Sequence, residues 1–158
     1  MSKPEFLYMT YIASTPDKVW QALTDGRFTQ QYWGGRAIDS DWQVGSPVVF
    51  RRTNANNAKD VVRGRVLEIE PPKKLVLSWA YELELGKPIT PASKVTFLVE
   101  DVGSDNVKLT VTHEVWEEGS LVDDGLIQGW SAILSSLKSF LETGEGLGIT
   151  KQWYKEGK

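Results

Sequence analysis

The sequence predicts an α+β fold in which a curved antiparallel sheet wraps around one long C-terminal helix, with two short helices after the first strand. Three patterns lead there. Residues 36–115 alternate apolar and polar side chains between turn signals, and residues 126–144 carry an apolar stripe at helical spacing. The stretch 14–35 is punctuated like two short helices. A single sheet of this kind has one apolar face to bury, and only the long helix is large enough to cover it.

The first strand, Glu5 to Ala13 (EFLYMTYIA), has the aromatic and β-branched content that strands favour. Ser14-Thr15-Pro16-Asp17 stops it. Thr15 suits an N-cap, Pro16 the first helical position and Asp17 the positive end of the helix dipole. A helix from Pro16 to about Thr24 then shows Val19, Trp20 and Leu23 on its apolar face. A second, from Phe28 to Trp33, stops at Gly34-Gly35. Strands are expected near 36–41, 47–53, 61–70, 74–83, 93–101 and 106–116, separated by Gly-, Pro- and Asn-rich turns. In the last three, one face collects Leu75, Leu77, Trp79 and Tyr81, then Val95, Phe97 and Val99, then Val107, Leu109, Val111, His113 and Val115. The long helix (LIQGWSAILSSLKSFLETG) aligns Trp130, Ile133, Leu134, Leu137 and Leu141 and closes at Gly144. Residues 1–144 form one domain on this reading. The tail 145–158, glycine-rich and then basic with Trp153 and Tyr154, finds no place in it.

Composition narrows the function classes. A chain of 158 residues without cysteine has no disulfide or thiolate metal site, and is compatible with a reducing compartment, the cytoplasm. Eighteen basic against 21 acidic residues give a net charge of -3, which argues against a nucleic-acid binder that relies on phosphate neutralisation. The N-terminus lacks the layout of a signal peptide, and no apolar run is long enough to span a bilayer. The seven tryptophans, at positions 20, 33, 42, 79, 116, 130 and 153, are the unusual feature.

A curved sheet gripping a helix leaves a cavity beneath that helix. Over about residues 5–144, YIASTPDKVWQALTD, YWGG, SDWQVGSPVVF, GRVLEIEPPKKLVLSW, KVTFLVEDVG, KLTVTH and GWSAILSSLKSFLETG follow one another in an order that resembles the family of activator of heat shock protein 90 ATPase homologues. That family sits in the START-like, birch-pollen-allergen-like (SRPBCC) helix-grip superfamily. The resemblance implies a helix-grip fold and a cavity that takes a small, largely apolar molecule, with no cofactor. The family's eukaryotic co-chaperones carry an additional N-terminal domain with an asparagine-rich motif containing Trp-His-Trp. Here the one histidine lies between Thr112 and Glu114, so the motif is absent and a chaperone partner loses its main support.

The ligand-binding candidates on this cavity are Trp33, Trp79, Tyr81, Phe97, His113, Trp130 and Leu134. Each of these apolar residues also has a plain core-packing reading. Trp42 and Trp116 are further candidate walls, although Trp116 has the opposite parity from His113. His113 has four readings. As a metal ligand it would find only carboxylate partners, a set that suits hard cations better than zinc. As a general acid or base it would work with Glu68 or Tyr81, in an enzyme of cyclase or hydrolase type. As a pocket wall it would offer one directional hydrogen bond, and as a structural histidine it would bond a neighbour. For the residue itself the structural reading weighs most; for the protein the sequence favours a non-catalytic pocket over an enzyme or a chaperone-associated interaction protein.

Other clusters carry less. Arg51, Arg52, Arg63 and Arg65 fall on adjacent strands and read as a solvated face, with Arg52 alone of a parity to reach inward toward Glu68. Glu117, Glu118, Asp123 and Asp124 lack the ligand pattern of a calcium loop, and the two aspartates suit the start of the long helix. GEGLG at 144–148 follows a helix, whereas a dinucleotide fingerprint follows a strand.

Overall fold

The computed structural model describes residues 3–52, 61–84, 87–88, 93–115 and 124–156. Strand β1 (Lys3–Ile12) leads into helices α1 (Pro16–Thr24) and α2 (Gly26–Tyr32). Strands β2 (Arg36–Ser40), β3 (Pro47–Arg52), β4 (Val61–Glu70), β5 (Lys74–Glu84), β6 (Lys87–Pro88), β7 (Ser93–Gly103) and β8 (Asn106–Val115) follow. Helices α3 (Asp124–Thr143) and α4 (Gly148–Glu156) complete the order. The antiparallel sheet runs β1-β8-β7-β5-β4-β3-β2, with the two-residue β6 on β5. The meander is therefore sequential, and only β1 makes a distant jump, to lie beside β8.

The turn chemistry explains the helices. Thr15 is extended and its hydroxyl accepts from the Lys18 N–H at 3.4 Å, with Pro16 at the start of α1. Asp25 then serves both helices: its N–H donates to Gln21 O, and its carboxylate accepts from Arg27 N–H at 2.9 Å. That cap starts α2 at Gly26, two residues ahead of the apolar pattern that begins with Phe28. The Arg27 side chain also bonds the carboxylate, and this bond holds Asp25 below its ordinary pKa.

Period-two strands and a period-3.6 helix meet at the core. Leu75 and Leu77, Val95, Phe97 and Val99, and Val107, Leu109 and Val111 are buried and face Trp130, Ile133, Leu134 and Leu137 of α3. Leu141 is only partly buried. A bulge in β4 breaks its alternation: β4 pairs with β5 through Val66↔Leu77 and then Glu68↔Val76, so Val66 faces the core and Glu68 faces solvent.

Polar contacts fasten two margins. At the outer edge of β1, Lys138 Nζ donates to Tyr11 O and Glu142 Oε2 accepts from Ala13 N–H, each at 2.8 Å, while the two side chains pair with each other at 2.8 Å. These contacts cover backbone groups that an edge strand would otherwise present. After Gly144, which takes φ +89° and donates its N–H to Phe140 O at 2.8 Å, the chain turns back along α3. The tail that the sequence left unplaced forms α4. Ser136 Oγ and Thr150 Oγ1 share a buried hydrogen bond of 2.8 Å, and Leu147 N–H donates to Ser136 Oγ at 2.9 Å. Gly146 permits this approach, since a Cβ there would lie 2.7 Å from both Gln31 O and Ser136 Oγ. Among the described residues no helix is long and apolar enough to cross a membrane.

Candidate functional site

Between the sheet and α3 the aromatic residues touch one another. Trp33 closes α2, donating its N–H to Thr29 O, and is thereby swung under the sheet. Its ring centroid lies 4.7 Å from Phe50 of β3, 6.1 Å from Trp79 of β5 and 5.5 Å from Trp130 of α3. Trp79 stands 5.1 Å from Phe50 and 5.4 Å from Trp130. Phe97 of β7 and Phe6 of β1 meet Trp130 at 6.2 and 6.4 Å. These separations and tilts fall in the range aromatic pairs prefer. Trp33 and Trp130 are buried, Leu134 lies beneath them at 1% exposure, and Trp79 is the partly exposed member.

One polar chain threads this wall. His113, 3% exposed, accepts at Nδ1 from the Trp130 indole N–H at 3.1 Å, and its Nε2 lies 2.7 Å from Ser93 Oγ. An indole nitrogen can only donate, so Nδ1 carries no proton and the neutral ring holds its hydrogen on Nε2. Ser93 Oγ therefore accepts from Nε2–H and directs its own hydrogen to Trp79 O, 3.3 Å away. Burial pushes the His113 pKa down to about 4, so the ring is uncharged near neutrality. The arrangement orients a hydroxyl but activates nothing: with Nδ1 occupied and Nε2 protonated, the imidazole has no lone pair with which to take a proton from Ser93.

Residues 13–142 match the model of the family described as Activator of Hsp90 ATPase homolog 1-like protein. The chain belongs to that family. Solved structures share the fold of this Activator of Hsp90 ATPase homolog 1-like chain. CalU16 from Micromonospora echinospora superposes with a TM-score of 0.66 at 23% identity, over 95% of this chain and 81% of its own. The Aha1 dimer from Colwellia psychrerythraea gives 0.69 at 23%, over 92% and 99%. PFC0360w, an HSP90 activator from Plasmodium falciparum, gives 0.63 at 20%, over 89% and 93%. At these identities the structures show the fold alone. No curated protein matches the chain.

Of the residues singled out in the sequence, Trp33, Trp79, Phe97, His113, Trp130 and Leu134 come together beneath α3. Tyr81 follows two residues beyond Trp79 on β5, opposite Val62. Trp42 packs on the core from the β2–β3 connection, and Trp116, Glu117, Glu118 and Asp123 lie outside the described residues. Glu68 is corrected: the bulge turns it outward, its side chain is 61% exposed and it pairs with Lys74 at 3.2 Å, which removes it as a partner for His113 or Arg52. Arg51 reaches Asp39 at 3.8 Å and Arg65 bonds Gly45 O, both on the solvated side. Among the described residues no cluster of three or more His, Cys, Asp or Glu could hold a metal.

Beside the ring wall, two buried polar residues escaped the sequence reading. Ser93 opens β7 just after the Pro88–Pro91 stretch that reads as a turn signal in the sequence, where serine is commonplace, and its role depends on β7 pairing Val95 with His113. Arg36 is 8% exposed and directs Nη1 toward Phe50 O at 3.5 Å, among its contacts. The alternation Arg36, Ile38 on β2 held the signal, for Arg36 has the parity of a buried position.

Proposed function

We propose that this protein binds a small hydrophobic or aromatic molecule against the ring wall between the sheet and α3, without catalysing a reaction. The observation that carries this reading is the continuous set Trp33, Phe50, Trp79, Trp130 with one fixed polar chain, Trp130–His113–Ser93, set into it. Rings supply contact area at low entropic cost, and a few oriented polar atoms supply selectivity. The partly exposed Trp79 gives such a ligand a margin at which to enter. The fixed tautomer of His113 speaks against a cyclase or hydrolase, which would need it as a base.

Family membership supports a second reading, association with a chaperone, because one structural neighbour, PFC0360w, is an HSP90 activator. Two experiments separate the readings. Titration of the intrinsic tryptophan fluorescence with a panel of apolar aromatic compounds should saturate in the micromolar range, about -8 kcal/mol. Native mass spectrometry of the purified protein should show a copurifying small molecule. A flat titration across the panel together with a ligand-free mass overturns the binding reading, and a pull-down that captures Hsp90 then decides for the second.

A further inference from the structure

The hydrogen-bonding groups of the ring wall pair off with one buried donor left over. The Trp130 indole N–H goes to His113 Nδ1, the His113 Nε2–H to Ser93 Oγ, and the Ser93 hydroxyl to Trp79 O. Trp33 has no such outlet. It is 6% exposed, and among the described residues no atom accepts a hydrogen bond from its indole Nε1–H. Rings surround it instead, with centroids at 4.7 Å for Phe50, 5.5 Å for Trp130, 6.0 Å for Tyr32 and 6.1 Å for Trp79. An aromatic face accepts only weakly, and the Tyr32 hydroxyl is committed to Ala22 O at 2.8 Å. The backbone holds the ring where it is. Trp33 N–H bonds Thr29 O at 2.8 Å, Trp33 O accepts from Arg36 N–H at 3.1 Å, and Gly34 and Gly35 complete the turn at φ +60° and +82°. A buried donor without an acceptor is uncommon in a native interior, and costly. Trp79 differs, since its ring is partly exposed and within reach of water.

We propose that Trp33 sets the chemistry of the ligand: its indole N–H donates to an acceptor on the bound molecule, which is a flat aromatic compound carrying a carbonyl oxygen. This inference rests on the binding reading above and adds the polar group to it. A carbonyl suits the wall on three counts. It accepts without bringing a hydrogen of its own, whereas the wall's acceptors His113 Nδ1 and Trp79 O each already receive one. It is neutral, so its entry among buried rings desolvates no charge, as a carboxylate would. Conjugated to an aromatic system it lies in the ring plane, and the ligand keeps the flat shape that packs against Phe50, Trp79 and Trp130. The Trp130–His113–Ser93 chain then has a separate part. It fixes the wall, and Trp33 reads the ligand.

Two probes of nearly the same shape separate the donor from the rings. In 2-acetylnaphthalene a carbonyl oxygen stands where 2-isopropylnaphthalene has a methyl group. Equilibrium dialysis of both probes against the full chain and against Trp33→Phe makes a cycle in which ligand hydrophobicity and the packing change of the variant cancel. Trp33→Phe should weaken 2-acetylnaphthalene about fivefold or more beyond its effect on 2-isopropylnaphthalene. A second measurement needs no variant and therefore survives one that does not fold. In nuclear magnetic resonance spectra of the unaltered protein, the Trp33 indole proton is recognised by its closeness to the Phe50 ring. That proton should move further downfield with 2-acetylnaphthalene than with 2-isopropylnaphthalene. Equal losses for the two probes in the variant, or an indole proton that responds alike to both, overturn the role of Trp33 and leave the binding reading standing. If neither probe binds, the binding reading falls and this inference with it.

Discussion

Helix α3 buries Trp130, Ile133, Leu134 and Leu137 against the sheet, whereas the contacts of α4 with α3 among the described side chains are the hydroxyls of Ser136 and Thr150, beside the close approach of Gly146. The first attachment is proportional to apolar area and insensitive to the direction of any one bond. The second depends on a few directed bonds and fails when one atom is moved. The difference teaches that α3 belongs to the cooperative core of the fold, while α4 is a local attachment whose loss leaves that core standing.

The largest effect that would test this division is at Leu137, which is fully buried. Leu137→Ala should lower global stability by about 2–5 kcal/mol in denaturant titrations, and a change below about 0.5 kcal/mol would put α3 on a par with α4.

Next comes pH, because the interior beneath α3 holds a histidine and the α4 contact is made by hydroxyls that do not titrate. The folded pKa of His113 is lowered from 6.5 to about 4, so the unfolded chain binds the extra proton first as pH falls. The resulting stability is complete above pH 6.5 and is lost on acidification toward pH 4. Its extent is about 3 kcal/mol. Asp25 and Glu142, whose pKa values are also lowered, lose their contributions at lower pH, from about 4.5 downward. Chemical denaturation at pH 7 and pH 4.5 should show the slope, and His113→Asn should flatten it over that window. Equal slopes in the two proteins would assign the acid sensitivity to other groups.

A smaller and more local effect is expected from Gly146→Ala, since the new Cβ would meet the backbone oxygen of Gln31 at 2.7 Å. Hydrogen exchange should accelerate across residues 148–156 while the slowest amides of β7 and β8 keep their rates, at a local cost of about 1–3 kcal/mol. If the β7 and β8 amides accelerate as well, α4 is part of the core. The smallest effect is at Lys151, which pairs with Glu145 at the surface at 3.2 Å. Lys151→Ala should change stability by less than about 1 kcal/mol, and the little it changes should vanish in high salt.

The same contrast marks how far the sequence could be read. All seven long strands lie within about two residues of where alternation and turn residues put them, and the α3 stripe is the one its spacing shows. Periodicity reports a face that must be buried, whatever the partner. It does not report a bulge, so Glu68 kept the parity of Val66 in the sequence and lost it in the fold. Nor does it report partners that only tertiary pairing creates. Ser93 acquires its role from His113, 20 residues away, and Ser136 from Thr150, 14 away. In the tail, Gly146 reads as flexibility until Gln31 is seen beside it.

The bonds from Lys138 and Glu142 to the edge of β1 also set a waiting time. Tyr11 and Lys138 stand 127 residues apart, so β1 is made near the start of synthesis and its cover near the end. At about 5–20 residues per second the interval is about 6–25 s. For most of that time EFLYMTYIA has no β8 partner, because β8 begins only at Asn106, and throughout it lacks its helix cover; it is among the most β-prone and least charged segments of the chain. Translation speed, and whatever shields a nascent strand, thus bears on the yield of this protein more than the stability of its finished fold suggests.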